Sequence, residues 1–437
     1  MTDGDREGRV LAAIADGRDE LVQLVTDLVA FDTTARSIDD PPRQEAALQA
    51  YLGERLRGQG AGVDIWEPAP EDVAGSRQIE PGLAFAGRPQ LAATFVGASG
   101  GRSLMLNGHI DVVTPDPVDQ WASDPWRAEI RDGNLYGRGT CDMKGGIGCM
   151  VFAAETLARL GIRLAGDLVV CTNTDEESSG AGGIACVAHG VRADAGICTE
   201  PTGFQVWTCS RGSVMPIVSV AGRPGHAELT QPHWREGGAV NAIEKLGVVL
   251  DAYARLREEW RTRPDNQHPH LSPTTITPTV VRGGEWIVTY PASCSITSML
   301  NYLPGNADAG GWGTGVEAEF ERFIRDAAQA DPWLQEHPPD VQWTIDIPPF
   351  EVPPDHPIIG TVLEASAAVG RDIGIGGLDS WFDAATFTRF GGTPMVGFGP
   401  RHIDNAHSID EYVPVDDVVL CAQAIALAAL RWCGVAG

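Results

Sequence analysis

The chain has 437 residues, of which 43% are hydrophobic and 21% are charged, a composition typical of a globular protein large enough for two domains. Its formal net charge of −27 at pH 7 argues against nucleic acid or an anionic membrane as a partner, because both would be repelled. The polar first residues lack the order of a signal peptide, and the sequence has no apolar run of about 18 residues, so we expect a cytoplasmic protein.

Helical and strand patterns alternate along the first half of the chain. Residues 10–31, 43–56 and 145–160 have apolar residues at helical spacing. Strands are predicted at 91–97, 102–113 and 166–177. This alternation predicts an α/β fold, with a mixed sheet that carries helices on both faces.

Around residue 212 the pattern changes. A strand, a long helix that ends near Trp260, two strands, a second helix and a last strand follow in the order β-α-β-β-α-β. This order is that of a ferredoxin-like unit. We therefore predict a catalytic domain of residues 1–212 and 350–437, with an inserted domain of residues 213–349.

The first polar cluster at a strand end is NGHIDVV, which contains His109 and Asp111. Alternation along a strand points residues i and i+2 to the same face, so the Asp111 carboxylate is expected to orient the imidazole of His109. A metal-bound histidine needs such a partner. A hydrogen-bonded structural histidine is the alternative that this pair alone leaves open.

The segment LYGRGTCDMKGG places Asp142 among glycines ahead of a helix. Glycines let the backbone approach a ligand closely, which fits a phosphate loop, but the GK[ST] ending of such a loop is missing. The GGxG run is a weak match to a dinucleotide-binding fingerprint. Taken alone, Asp142 fits a helix cap better than a ligand.

Carboxylates follow two further strands. Glu176 and Glu177 lie side by side in CTNTDEESSGAGG, and Glu200 ends the segment GICTEP. His407 lies in a late loop, NAHSIDEYVP, ahead of the last helix. Single residues of these kinds are usually solvated, but polar groups at the carboxyl ends of several strands of one open sheet mark the edge where ligands bind. We therefore expect them to form one site with His109.

The expected site combines two imidazoles with several carboxylates and no thiolate. This is the ligand mix of a hydrolytic zinc, manganese or cobalt site. Three ligands hold one metal, and the surplus predicts two metals with one carboxylate bridging them. Zn²⁺ is the expected metal, and Co²⁺ or Mn²⁺ are the alternatives.

In chain order the motifs are His-x-Asp, GRG-x-x-Asp-x-Lys-Gly-Gly, Asp-Glu-Glu, Thr-Glu-Pro and a late His-Ser-x-Asp-Glu-Tyr. As a set they resemble the two-metal superfamily of acetylornithine deacetylase, succinyl-diaminopimelate desuccinylase, carboxypeptidase G and aminoacylase, over nearly the whole chain. The resemblance implies a zinc-exopeptidase-like catalytic domain. It also implies that His109 and Glu200 bind one metal, that Glu177 and His407 bind the other, and that Asp142 bridges both.

The resemblance further implies roles in catalysis. Glu176 would be the general base that takes the proton of a metal-bridging water, and Asp111 would orient His109. In the inserted domain, VAGRPGHAE resembles the Gly-x-x-x-His segment of the family, so His226 would stabilise the oxyanion, in dimeric members at the partner subunit's site. A homodimer through this lid domain and a cis peptide after Asp142 are implied as well.

Some positions depart from the family pattern. Relatives that cleave N-acyl amino acids carry a lid-strand arginine that grips the substrate carboxylate, whereas this strand has Met299 and Asn301. Trp286 stands near a place where many relatives have asparagine, and Arg401 and His402 replace a glycine-rich turn. These departures favour a larger, flatter or less anionic amide, and they leave the substrate-binding residues unassigned.

The sequence therefore predicts a metal-dependent hydrolase that removes an acyl group from the nitrogen of a small-molecule amide. A metallo-dipeptidase or carboxypeptidase that uses the same site is the close alternative. A catalytically inactive binding scaffold is the alternative from another class. It predicts broken ligand positions, whereas every ligand position in this sequence holds a competent residue.

Overall fold

The structure is a computed structural model that describes residues 2–35, 40–79 and 82–436. Its strands are β1 (Gly62–Trp66), β2 (Gln90–Phe95), β3 (Leu104–His109), β4 (Glu129–Arg131), β5 (Asn134–Tyr136), β6 (Leu168–Asn173), β7 (Ala195–Cys198), β8 (Val206–Ser210), β9 (Gly212–Ala221), β10 (Thr275–Gly283), β11 (Ser293–Tyr302), β12 (Asp340–Ile347), β13 (Phe350–Glu351), β14 (Ile375–Leu378), β15 (Met395–Gly397) and β16 (Tyr412–Pro414). Its α-helices are α1 (Asp3–Asp16), α2 (Arg18–Val29), α3 (Glu45–Gly58), α4 (Pro70–Val73), α5 (Lys144–Arg159), α6 (Ala181–Ala188), α7 (Ala242–Thr262), α8 (Thr314–Ala328), α9 (Pro332–Glu336), α10 (Pro357–Ala368), α11 (Ala384–Arg389) and α12 (Val415–Cys433). None of these described helices is long and apolar enough to cross a membrane.

The chain divides into two compact units. The first consists of Met1–Cys209, Glu351–Gly377 and Phe382–Gly437, and the second of Ser210–Phe350 and Leu378–Trp381. The short segment of the second unit is fixed at Asp379, whose carboxylate accepts hydrogen bonds from the main-chain N–H and the hydroxyl of Ser272. Ser272 and Asp379 are 107 residues apart, so their contact leaves no local signal in the sequence.

The large mixed sheet, most of which belongs to the first unit, has the order β1-β2-β6-β3-β7-β15-β8-β13, with β14 paired to β8. The pairs β6–β3, β3–β7 and β7–β15 are parallel, and the pairs β1–β2, β2–β6 and β15–β8 are antiparallel. Every residue of β3, β6 and β7 is buried, as expected for central parallel strands that are covered on both faces. The predicted α/β fold with a mixed sheet is confirmed.

Helix α5 is the central helix of the first unit, since all its residues over 144–157 are buried. Its first glycines serve close packing. A Cβ atom on Gly145 would lie 2.2 Å from the carbonyl oxygen of Thr140, and one on Gly146 would lie 2.0 Å from the carbonyl oxygen of Thr199. The helix can therefore approach both the turn before it and the end of β7, which accounts for the glycine-rich run without a phosphate ligand.

The predicted helical run over residues 10–31 consists of two helices. Gly17 ends α1 and begins α2, and a Cβ atom there would lie 2.7 Å from a ring carbon of Phe152 in α5. Both helices pack against α5. The break is therefore set by a tertiary contact and not by the apolar spacing, which continues through Gly17.

The second unit has a four-stranded antiparallel sheet in the order β10-β11-β9-β12. With α7 after β9 and α8 before β12, this is the predicted β-α-β-β-α-β order, and the ferredoxin-like arrangement is confirmed. Trp260, Tyr253 and Phe320 lie in its core. The Phe320 ring packs against the rings of Tyr253 and Trp343, each at a centroid distance of 5.5 Å.

Replacing Phe320 with alanine should destabilise the second unit by roughly 3–5 kcal/mol, because loss of the buried ring leaves a cavity between Tyr253 and Trp343. Urea unfolding followed by tryptophan fluorescence would measure the change. Ile287→Ala is the matched control, since Ile287 is 93% exposed and its truncation should change the free energy of unfolding by at most about 0.5 kcal/mol. Equal effects of the two substitutions would contradict the assigned core.

Candidate metal centre

Three parallel strands bring predicted ligands to one edge of the large sheet. His109 is the last residue of β3, Glu176 and Glu177 follow β6, and Glu200 follows β7. Since β6 and β7 pair in parallel on either side of β3, their carboxyl ends lie side by side. The four side chains are between 1% and 10% exposed. The site is therefore a buried cluster of ionisable groups.

Asp142 lies between two imidazoles. Its Oδ1 atom is 3.1 Å from Nε2 of His109, and its Oδ2 atom is 3.4 Å from Nε2 of His407. His109, Asp142 and Glu177 each offer a ligand atom within 4.8 Å of the others. A carboxylate whose two oxygens face different imidazoles has the arrangement that a ligand shared by two metal ions requires.

Further ligand atoms lie on each side of this carboxylate. On the His109 side, Nε2 is 3.8 Å from a carboxylate oxygen of Glu200 and 3.9 Å from one of Glu176. On the His407 side, Nε2 is 3.1 Å from Oε2 of Glu177. The structure thus brings the five predicted ligands and the predicted base into one cluster, which belongs entirely to the first unit.

The backbone turns sharply where two of these segments begin. Asp175 and His407 have φ angles of 60° and 61°, in the left-handed region that aspartate and histidine enter more readily than most residues. The turn at Asp175 follows the end of β6. Beyond it, the main-chain N–H groups of Glu176 and Glu177 both donate to the carboxylate of Asp111, at 3.2 and 3.0 Å.

The main-chain carbonyl oxygen of Asp111 faces the imidazole of His109. Nδ1 of His109 is 2.9 Å from the carbonyl oxygen of Asp111, whereas the nearest carboxylate oxygen of Asp111 is 3.7 Å away. The carboxylate was the expected partner, but it is occupied by the two N–H groups of the loop after β6. Either oxygen at Nδ1 has the same consequence, because it leaves Nε2 of His109 available to a metal.

The carboxylates of the cluster repel one another. Burial raises the pKa values of Glu176 and Glu200 well above their usual range, and neighbouring carboxylates raise them further. Hydrogen bonds to Asp142 and Glu177 raise the pKa of His407 to about 10. A divalent cation suits such a set, because it compensates several carboxylates at once and uses their oxygens as ligands. Imidazole and carboxylate donors in this mixture fit zinc, cobalt or manganese.

Glu411 fixes the position of Asp142, although the sequence motifs gave it no role. Its buried carboxylate accepts hydrogen bonds from the main-chain N–H groups of Cys141 and Asp142, at 2.8 and 3.0 Å, and it pairs with Arg138. The peptide between Asp142 and Met143 is cis, as the resemblance implied. Glu411 is the glutamate of the late His-Ser-x-Asp-Glu-Tyr motif, so the signal was present in the sequence.

His226 belongs to the second unit, whereas the clustered residues belong to the first. It is exposed, and its main chain pairs with Thr289 in an isolated β-bridge. Its Nδ1 atom accepts a hydrogen bond from the N–H group of Glu228 at 3.3 Å. No residue in the described part of the chain forms a hydrogen bond with its Nε2 atom. The role of His226 in catalysis stays a prediction.

Comparison with known proteins decides the family. The family model described as Peptidase family M20/M25/M40 matches residues 105–431. The chain belongs to this family. Membership confirms the predicted resemblance, and it places the chain among hydrolases that act on amide bonds.

Individual relatives match almost the whole chain. The chain aligns over 448 positions, gaps included, with the N-formyl-4-amino-5-aminomethyl-2-methylpyrimidine deformylase of Halalkalibacterium halodurans, at 26% identity. The alignment covers 97% of each chain. The chain is 28% identical over 416 residues to the acetylornithine deacetylase of Myxococcus xanthus. That alignment covers 94% of this chain and 97% of the deacetylase. The crystal structure of a tripeptidase from Staphylococcus aureus has the same fold, with a TM-score of 0.72, 17% identity and coverage of 94% of this chain and 98% of that one.

Two neighbouring glutamates should respond differently to truncation. Glu177→Ala should remove about one equivalent of metal, because Glu177 lies 3.1 Å from His407 Nε2. Glu176→Ala should keep the full metal content and lower amide hydrolysis by about 10²- to 10⁴-fold, as expected for loss of a general base. Metal analysis by mass spectrometry and a hydrolysis assay would measure both. Glu176 is close enough to His109 to be a ligand itself, and equal metal loss in the two variants would support that reading.

Proposed function

We propose that the chain is a two-metal N-deacylase, which hydrolyses the amide bond between a short acyl group and the amine of a small molecule. The observation that carries this proposal is the Asp142 carboxylate between His109 and His407, with the Glu176 carboxylate 3.9 Å from His109 Nε2. The deformylase and the deacetylase that match over almost the whole chain support it.

In this proposal His109 and Glu200 would hold one divalent cation, Glu177 and His407 would hold the other, and Asp142 would be shared. The two cations would supply polarisation of the amide carbonyl and a lowered pKa of the attacking water. Zn²⁺ is the proposed metal, and Co²⁺ and Mn²⁺ are the alternatives that the same donors accept.

Glu176 is the proposed general base. Its carboxylate takes a proton from the attacking water as the water oxygen bonds to the amide carbon, and it gives a proton to the nitrogen as the carbon–nitrogen bond breaks. The products are a carboxylate and an amine. Asp111 holds the main chain of Glu176 in place for this transfer. His226 is the proposed donor to the oxyanion that develops on the amide oxygen.

The proposed substrate has no carboxylate beside the scissile amide. Met299 and Asn301 occupy the lid-strand positions where an arginine could bind such a group, and the side chain of Asn301 donates to the hydroxyl of Ser213 at 2.7 Å. The deformylase relative is named for an aminomethylpyrimidine, which is a flat heterocycle without a carboxylate. We therefore favour formamides and other short amides of amines that carry a heteroaromatic ring.

Two further proposals concern the partners and the location of the protein. The net charge of −27 disfavours nucleic acid and anionic membranes as partners. The cytoplasmic location stays a prediction from the sequence. Both are consistent with an enzyme for a small-molecule amide.

A substrate panel tests the proposed activity. With zinc-loaded protein, kcat/KM on an N-formylated aminomethylpyrimidine should exceed that on an N-acetyl amino acid by about tenfold or more, because a substrate carboxylate without a charged partner loses at least about 1.4 kcal/mol. Dipeptides are the third member of the panel. Faster hydrolysis of dipeptides would favour the peptidase alternative, and a metal-loaded protein that cleaves none of the three would favour the binding scaffold.

We also propose that residues 213–349 serve as a lid and dimerisation domain. Strand β10 lies at the edge of its sheet and exposes Val280 and Val281. One face of α7 carries small and apolar residues at helical spacing that are exposed or half-buried. These residues are Ile243, Gly247, Leu250 and Ala254. An open strand edge beside an apolar helix face favours a second copy of the chain as the partner.

Charge on this helix face should disrupt the proposed dimer. Leu250→Asp places a carboxylate in the stripe of α7 and should convert the protein to a monomer, as measured by sedimentation equilibrium. Val96→Asp is the matched control, because Val96 is 72% exposed in the first unit and should leave the mass unchanged. A wild-type protein that sediments as a monomer, or a Leu250→Asp variant that stays dimeric, would contradict the proposed interface.

A further inference from the structure

A layer of buried side chains lies behind the proposed ligands. Asn107 precedes His109 by two residues in β3, and Cys198, the last residue of β7, precedes Glu200 by two. Because extended residues i and i+2 share a face, these side chains lie on the same side of the sheet as the ligands, one step further into the protein. Asn173 is the last residue of β6 and pairs in register with His109. The three strand ends that carry the ligands therefore share a polar layer.

These side chains form a continuous series of hydrogen bonds. The thiol of Cys198 donates to Oδ1 of Asn107 at 3.3 Å, and Nδ2 of Asn107 donates to Oδ1 of Asn173 at 2.8 Å. Nδ2 of Asn173 donates in turn to Oδ2 of Asp383, the residue before α11. All four residues are 0% exposed. The series therefore links three strands and ends on a carboxylate.

The carboxylate of Asp383 is incompletely paired. Its Oδ1 atom accepts no hydrogen bond within the described part of the chain. A Cβ atom on Gly183 would lie 2.6 Å from this oxygen, so the carboxylate is packed against the first turn of α6. A buried carboxylate with an unpaired oxygen is costly unless a nearby cation compensates its charge.

Asp383 lies close behind the His109 side of the proposed metal centre. Its hydrogen-bond partner Asn173 pairs in register with His109 across β6 and β3. Burial raises the pKa of Asp383 to about 6, against the hydrogen bond from Asn173 and the charge of His109. Asp383 therefore adds negative charge to a cluster that already needs cations.

We propose that Asp383 is a positioning residue for the metal held by His109 and Glu200, an inference that rests on the two-metal centre proposed above. Through Asn173 and Asn107 it fixes the orientation of two amides and thereby the spacing of the strand ends. Its charge favours a divalent cation on that side of the centre. Asp383 needs to touch neither the metal nor the substrate to do this.

The test is the zinc affinity of the zinc-loaded full-length protein, measured by competition with a chromophoric chelator in the absence of substrate. Asp383→Asn keeps the shape of the side chain and an acceptor for Asn173, and it removes the charge. We expect it to weaken the binding of one of the two zinc ions by about 10- to 100-fold, the usual effect of losing an outer-shell partner. Unchanged affinity for both zinc ions would overturn the proposal.

Exchanging the side chains of Asn173 and Asp383 distinguishes the effect of the negative charge from an effect on folding. In the double variant Asn173→Asp/Asp383→Asn, the amide of Asn107 still finds an acceptor, and the bond between the exchanged positions is kept with its direction reversed. The negative charge then lies at position 173 instead of position 383, still behind the proposed metal centre. Zinc affinity should therefore return close to that of the wild type. If Asp383→Asn does not fold, this variant decides alone. A folded exchange variant that binds one zinc about tenfold more weakly or worse would overturn the proposal.

Asp346→Asn is the matched control. Asp346 is also buried, but it belongs to the second unit, where it accepts hydrogen bonds from the hydroxyl of Tyr302 and the N–H group of Gly313. Its replacement should lower the melting temperature and leave zinc affinity unchanged. Equal loss of zinc affinity in the control would overturn the role of Asp383. Wild-type protein that binds no zinc would overturn the two-metal centre itself, whereas a normal wild type with an unaffected Asp383→Asn variant overturns only the role of Asp383.

Discussion

The position of the Asp142 carboxylate is the constraint on which the rest of the site depends. It is 7% exposed, and its two oxygens face imidazoles that come from distant parts of the chain, His109 and His407. Its main chain is held by Glu411, whose charge is compensated in turn by Arg138. Without Arg138 the carboxylate of Glu411 would be an unpaired buried charge, and without Glu411 the main-chain N–H group of Asp142 would lose its acceptor. Residues that never meet a substrate are therefore as necessary to the site as the ligands.

The main elements are predictable because their signals are local. Apolar runs predict β3 and β6, and the change of pattern near residue 212 predicts the β-α-β-β-α-β order of the second unit. The break at Gly17 and the segment Leu378–Trp381 are not predictable from local sequence. Each depends on a contact with a residue far along the chain, Phe152 in the first case and Ser272 in the second. Periodicity describes which face of an element is buried, and it says nothing of what lies opposite.

The same distinction separates the parts of the site. The predicted ligands stand out because each follows an apolar strand or lies in a motif, whereas Asp383 lies in FDAATF, where an aspartate before a short helix is typical of a cap. Its hydrogen bond to Asn173 joins positions 210 residues apart. For Asp111 the sequence predicts that its carboxylate orients His109, whereas in the structure the oxygen of Asp111 nearest to the imidazole is that of its main-chain carbonyl group. Alternation along a strand gives the face that a side chain takes, but not which of several nearby oxygens an imidazole meets.

The adjacency of Glu176 and Glu177 shows why the local backbone matters to the chemistry. In a regular strand two neighbours would point to opposite faces of the sheet. Here the left-handed turn at Asp175 ends the strand first, and both following N–H groups bind the Asp111 carboxylate. The main-chain oxygen of Asp111 meanwhile orients His109. One aspartate thus fixes a histidine through its carbonyl group and two glutamates through its side chain, so a displacement of either partner would be transmitted to the other.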